Sequence, residues 1–429
     1  MKSKIKVVPK EYLFPFILIT SLFALWGFAN DITNPMVAAF KTVMEISNAK
    51  AAMVQFAFYG GYATMAIPAA LVIKRYSYKV GIIVGLTLYA IGALLFYPAA
   101  QFEFFGFFLV SLYILTFGLA FLETTANPYI LSMGPEETAT RRLNLAQSFN
   151  PMGSIFGMFI ASNVILATLE SDKRDSAGNL IFETLSASEK AGIRAHDLAV
   201  IRDPYVMLGF FVILMLAIIV LSKMPKRAKA DHSIRTKDTF KRLAKNVKYR
   251  EGVLAQVFYV GAQIMCWTFI IQYADNLGIP KAEAQRYNII AMAIFIGSRF
   301  VSTFLMKYLN ARFMLTIFAV GGMLTTTGVI LIEGMPGLYL LIATSAFMSL
   351  MFPTIYGIAL EGLSEDSTLG AAGLVMAIVG GALMPPLQGL LIDQGTIAWL
   401  PAVNFSFILP FICFVAIAIY GYRTMKIHV

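Results

Sequence analysis

Charged side chains are scarce in this chain of 429 residues, because Lys, Arg, Asp and Glu together make up only 14% of it. Soluble proteins contain about 25% of these residues. Hydrophobic residues make up 58% of the chain, and the mean hydropathy is +0.73. This composition excludes a soluble enzyme, a nucleic-acid-binding protein and a disordered chain. A transmembrane helix uses roughly 20 apolar residues, so the chain has enough of them for about twelve.

Cysteine and histidine are also rare. Cys266 and Cys413 both lie in apolar runs, and no CxxC pair or Cys/His cluster suggests a metal site or a disulfide scaffold. The three histidines, His196, His232 and His428, lie outside the apolar runs. The spans therefore lack both an HExxH motif and a nucleophile–base pair. We expect no enzyme activity, no cofactor and no bound metal.

Twelve apolar runs of transmembrane length predict an all-α membrane protein in which two halves contain six helices each. The predicted spans are 13–40, 52–73, 80–99, 104–133, 143–169, 204–222, 252–275, 287–306, 312–332, 338–361, 369–392 and 401–422. The predicted domains are an N-terminal half (1–222), a basic linker (223–250) and a C-terminal half (251–429). An even number of spans places both termini on the same side of the membrane.

The distribution of basic residues predicts which side that is. Loops on the side of the termini contain 24 Lys and Arg residues, against 9 on the other side. Basic residues are enriched in cytoplasmic loops, so both termini are predicted to be cytoplasmic, in a multi-pass protein of the inner membrane. The net charge of +10 then reports orientation rather than nucleic-acid binding.

Two connections between predicted spans are long. Residues 170–203 are predicted to form a polar outer loop, and 223–250 forms the basic inner linker. We interpret the linker as a solvated segment near anionic lipid headgroups. The alternative is a specific regulatory site.

A short internal repeat supports the two-half organisation. LVIKRYSYKVG (71–81) and FLMKYLNARFM (304–314) align without gaps at an offset of 233, each between the second and third spans of its half. Parallel halves of this kind are typical of transporters that hold their substrate between the halves, near the membrane midplane.

Three charged residues lie well inside predicted spans: Asp31, Glu123 and Arg299. A charge at that depth costs at least about 2.5–3.5 kcal/mol, so each is a functional candidate. Arg299 lies in the cytoplasmic half of its span. It is interpreted as reaching the inner interface, and a gating ion pair is the alternative.

The two carboxylates are candidates for carrying a proton. Asp31 borders a polar helix face in LWGFANDITNPMV (25–37), and Glu123 lies four residues before Asn127 on the same face of its helix. Burial disfavours the charged form of a carboxyl group, so such a group can take up a proton. The alternatives are a carboxylate that packs against neighbouring amides for Asp31, and one that supports the kink at Pro128 for Glu123.

Amide and aromatic side chains recur on the faces of four predicted spans, the first, fourth, fifth and seventh. Amides offer both donors and acceptors, and an aromatic ring packs against the C–H face of a sugar, so this mixture favours a neutral polyhydroxylated ligand. The candidate substrate-binding residues are Trp26, Asn30, Asn34, Asn127, Gln147, Asn150, Gln256, Tyr259, Gln263 and Trp267. The alternative is that they hold helices together.

Four sequence blocks carry a resemblance to a known family. They are LFALWGFAND (22–31), GLAFLETTANPYI (118–130), RLNLAQSFNPMGS (142–154) and LAQVFYVGAQIMCW (254–267). From about Phe14 to Tyr420, the chain resembles the fucose–proton symporter family of the major facilitator superfamily. The resemblance implies a twelve-helix carrier that opens alternately to the two sides of the membrane and takes up a monosaccharide, L-fucose first, together with a proton. It also implies a monomer in membrane lipid, with no nucleic-acid partner.

The resemblance also implies roles for individual residues. Glu123 matches the family's glutamate in LETxANP, which is implicated in proton coupling and sugar contact. Positions that match the family's sugar cavity are Trp26, Asn30, Gln147 and Asn150.

Two positions depart from the family pattern. The family aspartate of the first span matches Asn34, whereas this chain has Asp31 one helical turn earlier. Phe352 stands where the family has a tyrosine, so a hydroxyl is missing. We therefore expect Asp31 to act as a second titrating group beside Glu123.

Three other functions remain open from the sequence. A sodium-coupled sugar carrier is one, because Asp31, Asn30 and Asn34 offer oxygen ligands. A polyspecific drug exporter is less consistent with the amide-rich faces. The third is a sugar sensor that does not transport.

Overall fold

The chain is almost entirely helical in the computed structural model, which describes residues 8–131, 133–135, 145–146, 149–224, 236–306, 308–363, 366–397 and 399–426. The α-helices of the first half of the chain are α1 (Leu13–Thr33), α2 (Met36–Val43), α3 (Asn48–Ala51), α4 (Met53–Arg75), α5 (Tyr78–Leu94), α6 (Phe96–Phe102), α7 (Phe105–Leu131), α8 (Phe149–Ile160) and α9 (Ala187–Leu221). Those that follow are α10 (Thr236–Lys245), α11 (Val247–Asn276), α12 (Lys281–Leu305), α13 (Ala311–Leu331), α14 (Gly334–Met348), α15 (Met351–Leu360), α16 (Ser367–Met376), α17 (Gly380–Ile392), α18 (Ala402–Phe405) and α19 (Ile408–Lys426).

Short elements complete the described part of the chain. The strands β1 (Thr396–Ile397) and β2 (Leu400–Pro401) pair antiparallel, with Thr396 opposite Pro401. The helical turns are 3-10 at Lys10–Tyr12, Leu166–Thr168, Glu170–Asp172, Ile181–Thr184 and Ala377–Val379, and π at Ala161–Ile165. These elements are too small to alter the helical class of the fold.

The prediction of an all-helical membrane protein is confirmed. Within the described ranges, eleven helical stretches are long and apolar enough to cross a membrane. The predicted span 287–306 corresponds to the 25-residue helix α12, which supplies the twelfth.

Several predicted spans are interrupted rather than continuous. The first, 13–40, is divided between α1 and α2 at Asn34 and Pro35. Proline has no backbone N–H to donate, so the ladder of helical hydrogen bonds is broken where it enters. The tenth predicted span, 338–361, is likewise divided between α14 and α15.

The prediction of a polar loop over 170–203 is wrong for its second half. Helix α9 begins at Ala187 and continues without interruption into the sixth predicted span. Ser186 and Glu189 form a capping box, in which the Glu189 carboxylate accepts from the Ser186 backbone N–H at 3.0 Å. This S-x-x-E signal was present in the sequence, although the polar residues that follow it concealed the helix.

The internal repeat has a structural counterpart at two helix starts. The Ser77 hydroxyl oxygen accepts from the Val80 N–H at 3.2 Å at the start of α5, and Asn310 Oδ1 accepts from the Arg312 N–H at 2.8 Å at the start of α13. Ser77 and Asn310 are separated by the same offset of 233 as the repeat. The two aligned segments therefore begin equivalent helices.

The chain forms two compact units, each of which is discontinuous in sequence. The first consists of the described residues of Met1–Thr33, Thr64–Ile165 and Ala195–Ile234. The second consists of Asn34–Ala63, Leu166–Arg194 and the described residues of Arg235–Val429. The predicted halves, 1–222 and 251–429, are continuous sequence segments and are not the same as these two units. The division into halves stays a prediction.

Part of the basic linker is packed within the second unit. Helix α10 buries Leu243 in a cluster with Tyr249, Ala359, Leu363 and Leu374. Arg242 donates two hydrogen bonds to the Asp366 carboxylate, at 2.6 and 2.8 Å, and these bonds lower the pKa of Asp366. Residues 236–245 are therefore docked rather than simply solvated, whereas 225–235 lie outside the described residues.

A buried ionic network joins two connections of the second unit. Lys281 is 1% exposed, and its Nζ lies 2.7 Å from Asp172 Oδ1 and 3.3 Å from Asp275 Oδ1. Arg174 pairs with Asp275 and lies 3.7 Å from Asp172. Two carboxylates are thus balanced by two cations, which ties the segment around Asp172 to the start of α12.

This network predicts a large stability effect at Lys281. In Lys281→Met, the two carboxylates lose a buried cation, and we expect the free energy of unfolding to fall by about 3 kcal/mol. The measurement is thermal unfolding in detergent micelles. The control is Lys173→Met, because Lys173 pairs with Glu170 at the surface, where such pairs contribute little. Equal effects of the two substitutions would contradict the prediction.

Candidate functional site

Helices α1 and α8 of the first unit contact each other through their backbones. A methyl group added to Gly153 would lie 1.9 Å from the Ala24 carbonyl oxygen, and one added to Gly27 would lie 2.1 Å from the Asn150 carbonyl oxygen. Small residues allow this close approach between membrane helices. It places the polar residues of α8 against those of α1.

Asp31 lies at this contact and is 2% exposed. The Ser154 hydroxyl of α8 is hydrogen-bonded to its carboxylate, and Asn30 Nδ2 lies 3.5 Å from its Oδ2. Its other oxygen, Oδ1, is buried and has no hydrogen-bond partner in the part of the chain that the structure describes. A buried oxygen without a donor is costly, so the site is suited to a proton or a ligand group.

The neighbouring candidates Trp26 and Asn150 both adjoin Phe23. The Trp26 ring is stacked on the Phe23 ring at a centroid distance of 5.8 Å, and Asn150 Nδ2 donates to the Phe23 carbonyl oxygen at 3.3 Å. Trp26, Asn30 and Asn150 are each partly exposed. One aromatic ring and two amides of the first unit are therefore only partly buried.

Glu123 lies on α7 of the first unit and is partly exposed. The adjacent hydroxyls of Thr124 and Thr125 donate to carbonyl oxygens four residues earlier on the same helix. They are thus engaged with their own helix. Two further candidates, the Asn127 side chain and Gln147, lie outside the described residues.

In the second unit, α11 carries two fully buried polar side chains. Gln256 and Tyr259 are both 0% exposed. Among the described residues, neither amide atom of Gln256 has a hydrogen-bond partner, and neither does the Tyr259 hydroxyl. The Tyr259 ring contacts the Phe352 ring edge-on at a centroid distance of 6.0 Å. This stretch of α11 therefore has hydrogen-bond donors and acceptors without partners in the described residues, close to the Phe352 ring.

The other two candidates on α11 have different surroundings. Trp267 donates its indole N–H to the Ser345 hydroxyl at 3.1 Å and packs edge-on against Phe295 at 5.0 Å. Gln263 is partly exposed. Trp267 is thus held in place by α12 and α14, as expected if it packs helices together.

Asn34 belongs to a hydrogen-bonded cluster in the second unit. Its Oδ1 accepts from Gln55 Nε2 at 2.7 Å and from the Thr268 hydroxyl at 2.8 Å, and Gln55 Nε2 also lies 2.9 Å from the Thr268 oxygen. Gln55 and Thr268 were not predicted. Gln55 had the same signal as the other amides, since it lies in an apolar span, whereas a single threonine in a helix is too common to single out.

Arg299 is bonded to the backbone of a neighbouring helix segment. Its Nε donates to the Ser349 carbonyl oxygen at 2.9 Å, and its guanidinium lies 4.6 Å from the centroid of the Phe295 ring. With the ion-paired residues Arg312 and Glu361, it lines a cavity of about 610 Å³. The gating ion pair proposed for Arg299 stays a prediction.

Comparison with known proteins places this helical architecture in a family. A sequence model of the Major Facilitator Superfamily matches residues 17–380. An L-fucose-proton symporter of Haemophilus influenzae is 71% identical over 423 residues, which cover 98% of this chain and 99% of the relative. The chain belongs to the fucose–proton symporter family of the Major Facilitator Superfamily. As a member of this superfamily, it is a membrane transporter and not an enzyme.

Two further similarities extend over nearly the whole chain. An L-fucose-proton symporter of Escherichia coli is 36% identical over 413 residues, covering 94% of this chain and 93% of the relative. The crystal structure of the Major Facilitator Superfamily transporter FucP in the outward conformation has a TM-score of 0.70 at 33% identity, covering 97% of this chain and 99% of that one. The resemblance found in the sequence blocks is therefore confirmed.

The contact of α1 with α8 predicts that glycine is needed at position 153. In Gly153→Ala, the added methyl group meets backbone rather than a flexible side chain, so the helices must separate and Asp31 loses its fixed position beside Ser154. We expect a loss of about 2 kcal/mol in stability and a marked loss of transport. Gly192→Ala is the matched control, because nothing lies within 4 Å of its added methyl group. Normal transport in Gly153→Ala would contradict the prediction.

Proposed function

We propose that this chain is a secondary active transporter that carries L-fucose and a proton together into the cell by alternating access. It is proposed to act as a monomer in the cytoplasmic membrane, with both termini in the cytoplasm. The observation that carries the proposal is a buried carboxylate, Asp31, that is held by Ser154 and Asn30 and has one oxygen without a partner in the described structure. The 71% identity to an L-fucose-proton symporter supports the choice of sugar and ion.

Asp31 and Glu123 are the proposed proton-coupling groups. A protonated carboxyl group is neutral and can also donate a hydrogen bond, so protonation removes the cost of a charge inside the membrane and adds a donor for the sugar. Asp31 is enclosed between α1 and α8, whereas Glu123 is partly exposed and so has readier access to solvent. We propose that Glu123 exchanges the transported proton and that Asp31 is a second titrating group.

Amide and aromatic side chains are the proposed sugar-binding groups. In the first unit, Trp26 offers a ring face, and Asn30 and Asn150 offer donors and acceptors. In the second, Gln256 and Tyr259 offer buried polar atoms that lack partners in the described residues. A hydroxyl-rich ligand can satisfy these atoms, and a lipophilic drug cannot. Other proposed members of the site are Asn34, Asn127, Gln147, Gln263 and Trp267.

Sodium coupling is the nearest rival. It would need oxygen ligands around Asp31, and Asn34 was the candidate one turn away. The Asn34 oxygen already accepts two hydrogen bonds, from Gln55 and Thr268, which makes it a poor cation ligand in this conformation. Proton coupling is therefore the proposal that the contacts favour.

Radiolabelled L-fucose counterflow tests the substrate directly. Proteoliposomes loaded with unlabelled L-fucose should take up labelled L-fucose from outside, because counterflow requires sugar exchange without net proton movement. Measurements with and without Na⁺ at fixed pH separate the two coupling ions. Lack of exchange with L-fucose, or exchange only when Na⁺ is present, would overturn the proposal.

Glu123→Gln is expected to abolish the accumulation of L-fucose against its gradient while part of the L-fucose exchange remains. Glutamine keeps the size of the side chain but cannot carry a proton, so accumulation of L-fucose against its gradient should fail while counterflow partly survives. Asp203→Asn is the control, since Asp203 is exposed and paired with Arg202. If Glu123→Gln accumulates sugar as the unaltered protein does, its proposed role is wrong.

Asp31→Asn is expected to weaken the coupling of sugar to proton movement less than Glu123→Gln does. The substitution preserves the hydrogen-bonding shape beside Ser154 but removes a titrating group, so we expect accumulation to fall roughly tenfold, as for the loss of one charge-assisted interaction. The L-fucose KM in counterflow should change little. A large rise in KM with normal accumulation would instead assign Asp31 to sugar binding alone.

A further inference from the structure

Three neutral polar side chains meet at one point in the second unit, and they come from distant parts of the sequence. Asn34 follows α1, Gln55 lies in α4 and Thr268 lies in α11. All three are at most 6% exposed, and the hydrogen bonds among them measure 2.7, 2.8 and 2.9 Å. We call these three residues the neutral cluster.

The neighbouring turns of α4 and α11 extend this contact. A methyl group added to Gly381 of α17 would lie 3.0 Å both from the Tyr59 ring and from Ile264. Tyr59 is one turn after Gln55, and Ile264 is one turn before Thr268. The neutral cluster therefore lies one helical turn away from the contact of Tyr59 and Ile264 with Gly381.

The neutral cluster joins the predicted halves of the transporter. Asn34 and Gln55 belong to the predicted N-terminal half and Thr268 to the C-terminal half. In alternating access the halves must separate on each side of the membrane in turn. The hydrogen bonds between Asn34 and Thr268 and between Gln55 and Thr268 must then break whenever that side opens.

We propose that Asn34, Gln55 and Thr268 form a charge-neutral latch that holds one side of the transporter closed. Gln55 and Thr268 are positioning residues that bind the Asn34 amide. Because Asn34 carries no charge, the latch closes without the uptake of a proton at this position. The proposal rests on the proposed alternating-access function. Every bond in the latch is made by an amide or a hydroxyl group, so closing it buries no charge. An ionised carboxylate at position 34 would be buried among neutral partners, which is costly without a cation.

Several ionisable groups lie close to the latch residues in the sequence and bear on any pH effect. Those within seven residues of its members are Asp31, Lys41, Lys50, Tyr59, Tyr62, Cys266, Tyr273 and Asp275. Asp275, and Asp172 of the nearby 3-10 turn, are engaged by Lys281 and Arg174. Both hydrogen bonds to Asn34 Oδ1 come from neutral groups.

Asn34→Asp tests the neutral character of the latch. Only the protonated acid can be buried in the closed latch, so transport by the variant should fall as the pH rises. The measurement is L-fucose counterflow from pH 5.5 to pH 8, expressed as the ratio of Asn34→Asp to the unaltered protein, which removes the pH dependence of Asp31 and Glu123. We expect this ratio to fall about tenfold over the range, because a membrane-buried charge is strongly disfavoured. A ratio that is independent of pH would overturn the proposal.

Thr268→Val and Thr268→Ser form a matched pair for the hydroxyl group. Valine keeps the shape and removes the bonds to Asn34 and Gln55, so we expect the maximal counterflow rate to change about fivefold while the L-fucose KM changes less than twofold. Serine keeps the hydroxyl and should behave as threonine does. Equal rates for Val and Ser, or an effect confined to KM, would contradict a positioning role.

Two controls keep the outcome interpretable. The melting temperature of each variant in detergent, with and without L-fucose, shows whether the variant folds and still binds sugar. If the unaltered protein itself shows no counterflow, the proposed function fails. If it does and the variants show no pH-dependent ratio and no Val/Ser difference, the latch alone fails.

Discussion

The apolar interior of the membrane is the constraint on which the rest of this structure depends. A polar group there cannot hydrogen-bond to bulk water, so it must find a partner in the protein, a ligand or a proton. Most of the polar side chains that are buried in the described part of the chain have a hydrogen-bond or ionic partner. Within the predicted spans, Trp267 donates to Ser345, and Asn34 accepts hydrogen bonds from Gln55 and Thr268.

This constraint separates two kinds of buried polar group. Trp267, whose N–H bonds to Ser345, and the members of the neutral cluster form hydrogen bonds within the protein, so they do not depend on a sugar to satisfy them. Gln256, Tyr259 and Asp31 instead keep polar atoms that lack partners in the part of the chain described by the structure. Unsatisfied atoms are the ones that a sugar hydroxyl or a proton can serve, so binding is expected there.

Hydropathy and helical spacing were enough to predict the fold class and the approximate positions of the spans, because apolar runs of sufficient length leave few alternatives. The points at which a predicted span is divided into two helices were less predictable. Pro35 marked the division between α1 and α2, whereas the division between α14 and α15 depends on packing. The early start of α9 was missed because polar residues after Ser186 indicated a loop, although the capping box with Glu189 was present.

The candidate site could be predicted in part for a similar reason. A carboxylate inside an apolar span is conspicuous, so Asp31 and Glu123 are candidates from the sequence alone. Which amides bind and which only hold helices depends on partners that are distant along the chain, such as Ser154 for Asp31 and Ser345 for Trp267. Gln55 and Thr268 acquire their significance only from their contact with Asn34.

Sugar and proton are proposed to move through this protein together, and proton entry evoked by L-fucose is the measurement that tests this coupling. The protein is placed in proteoliposomes that contain a pH-sensitive dye, without Na⁺ and without an imposed pH gradient, and L-fucose is added outside. Coupled entry predicts acidification of the interior that follows the L-fucose gradient and is absent when a sugar that the protein does not exchange is added. L-fucose entry with no change in internal pH would contradict it.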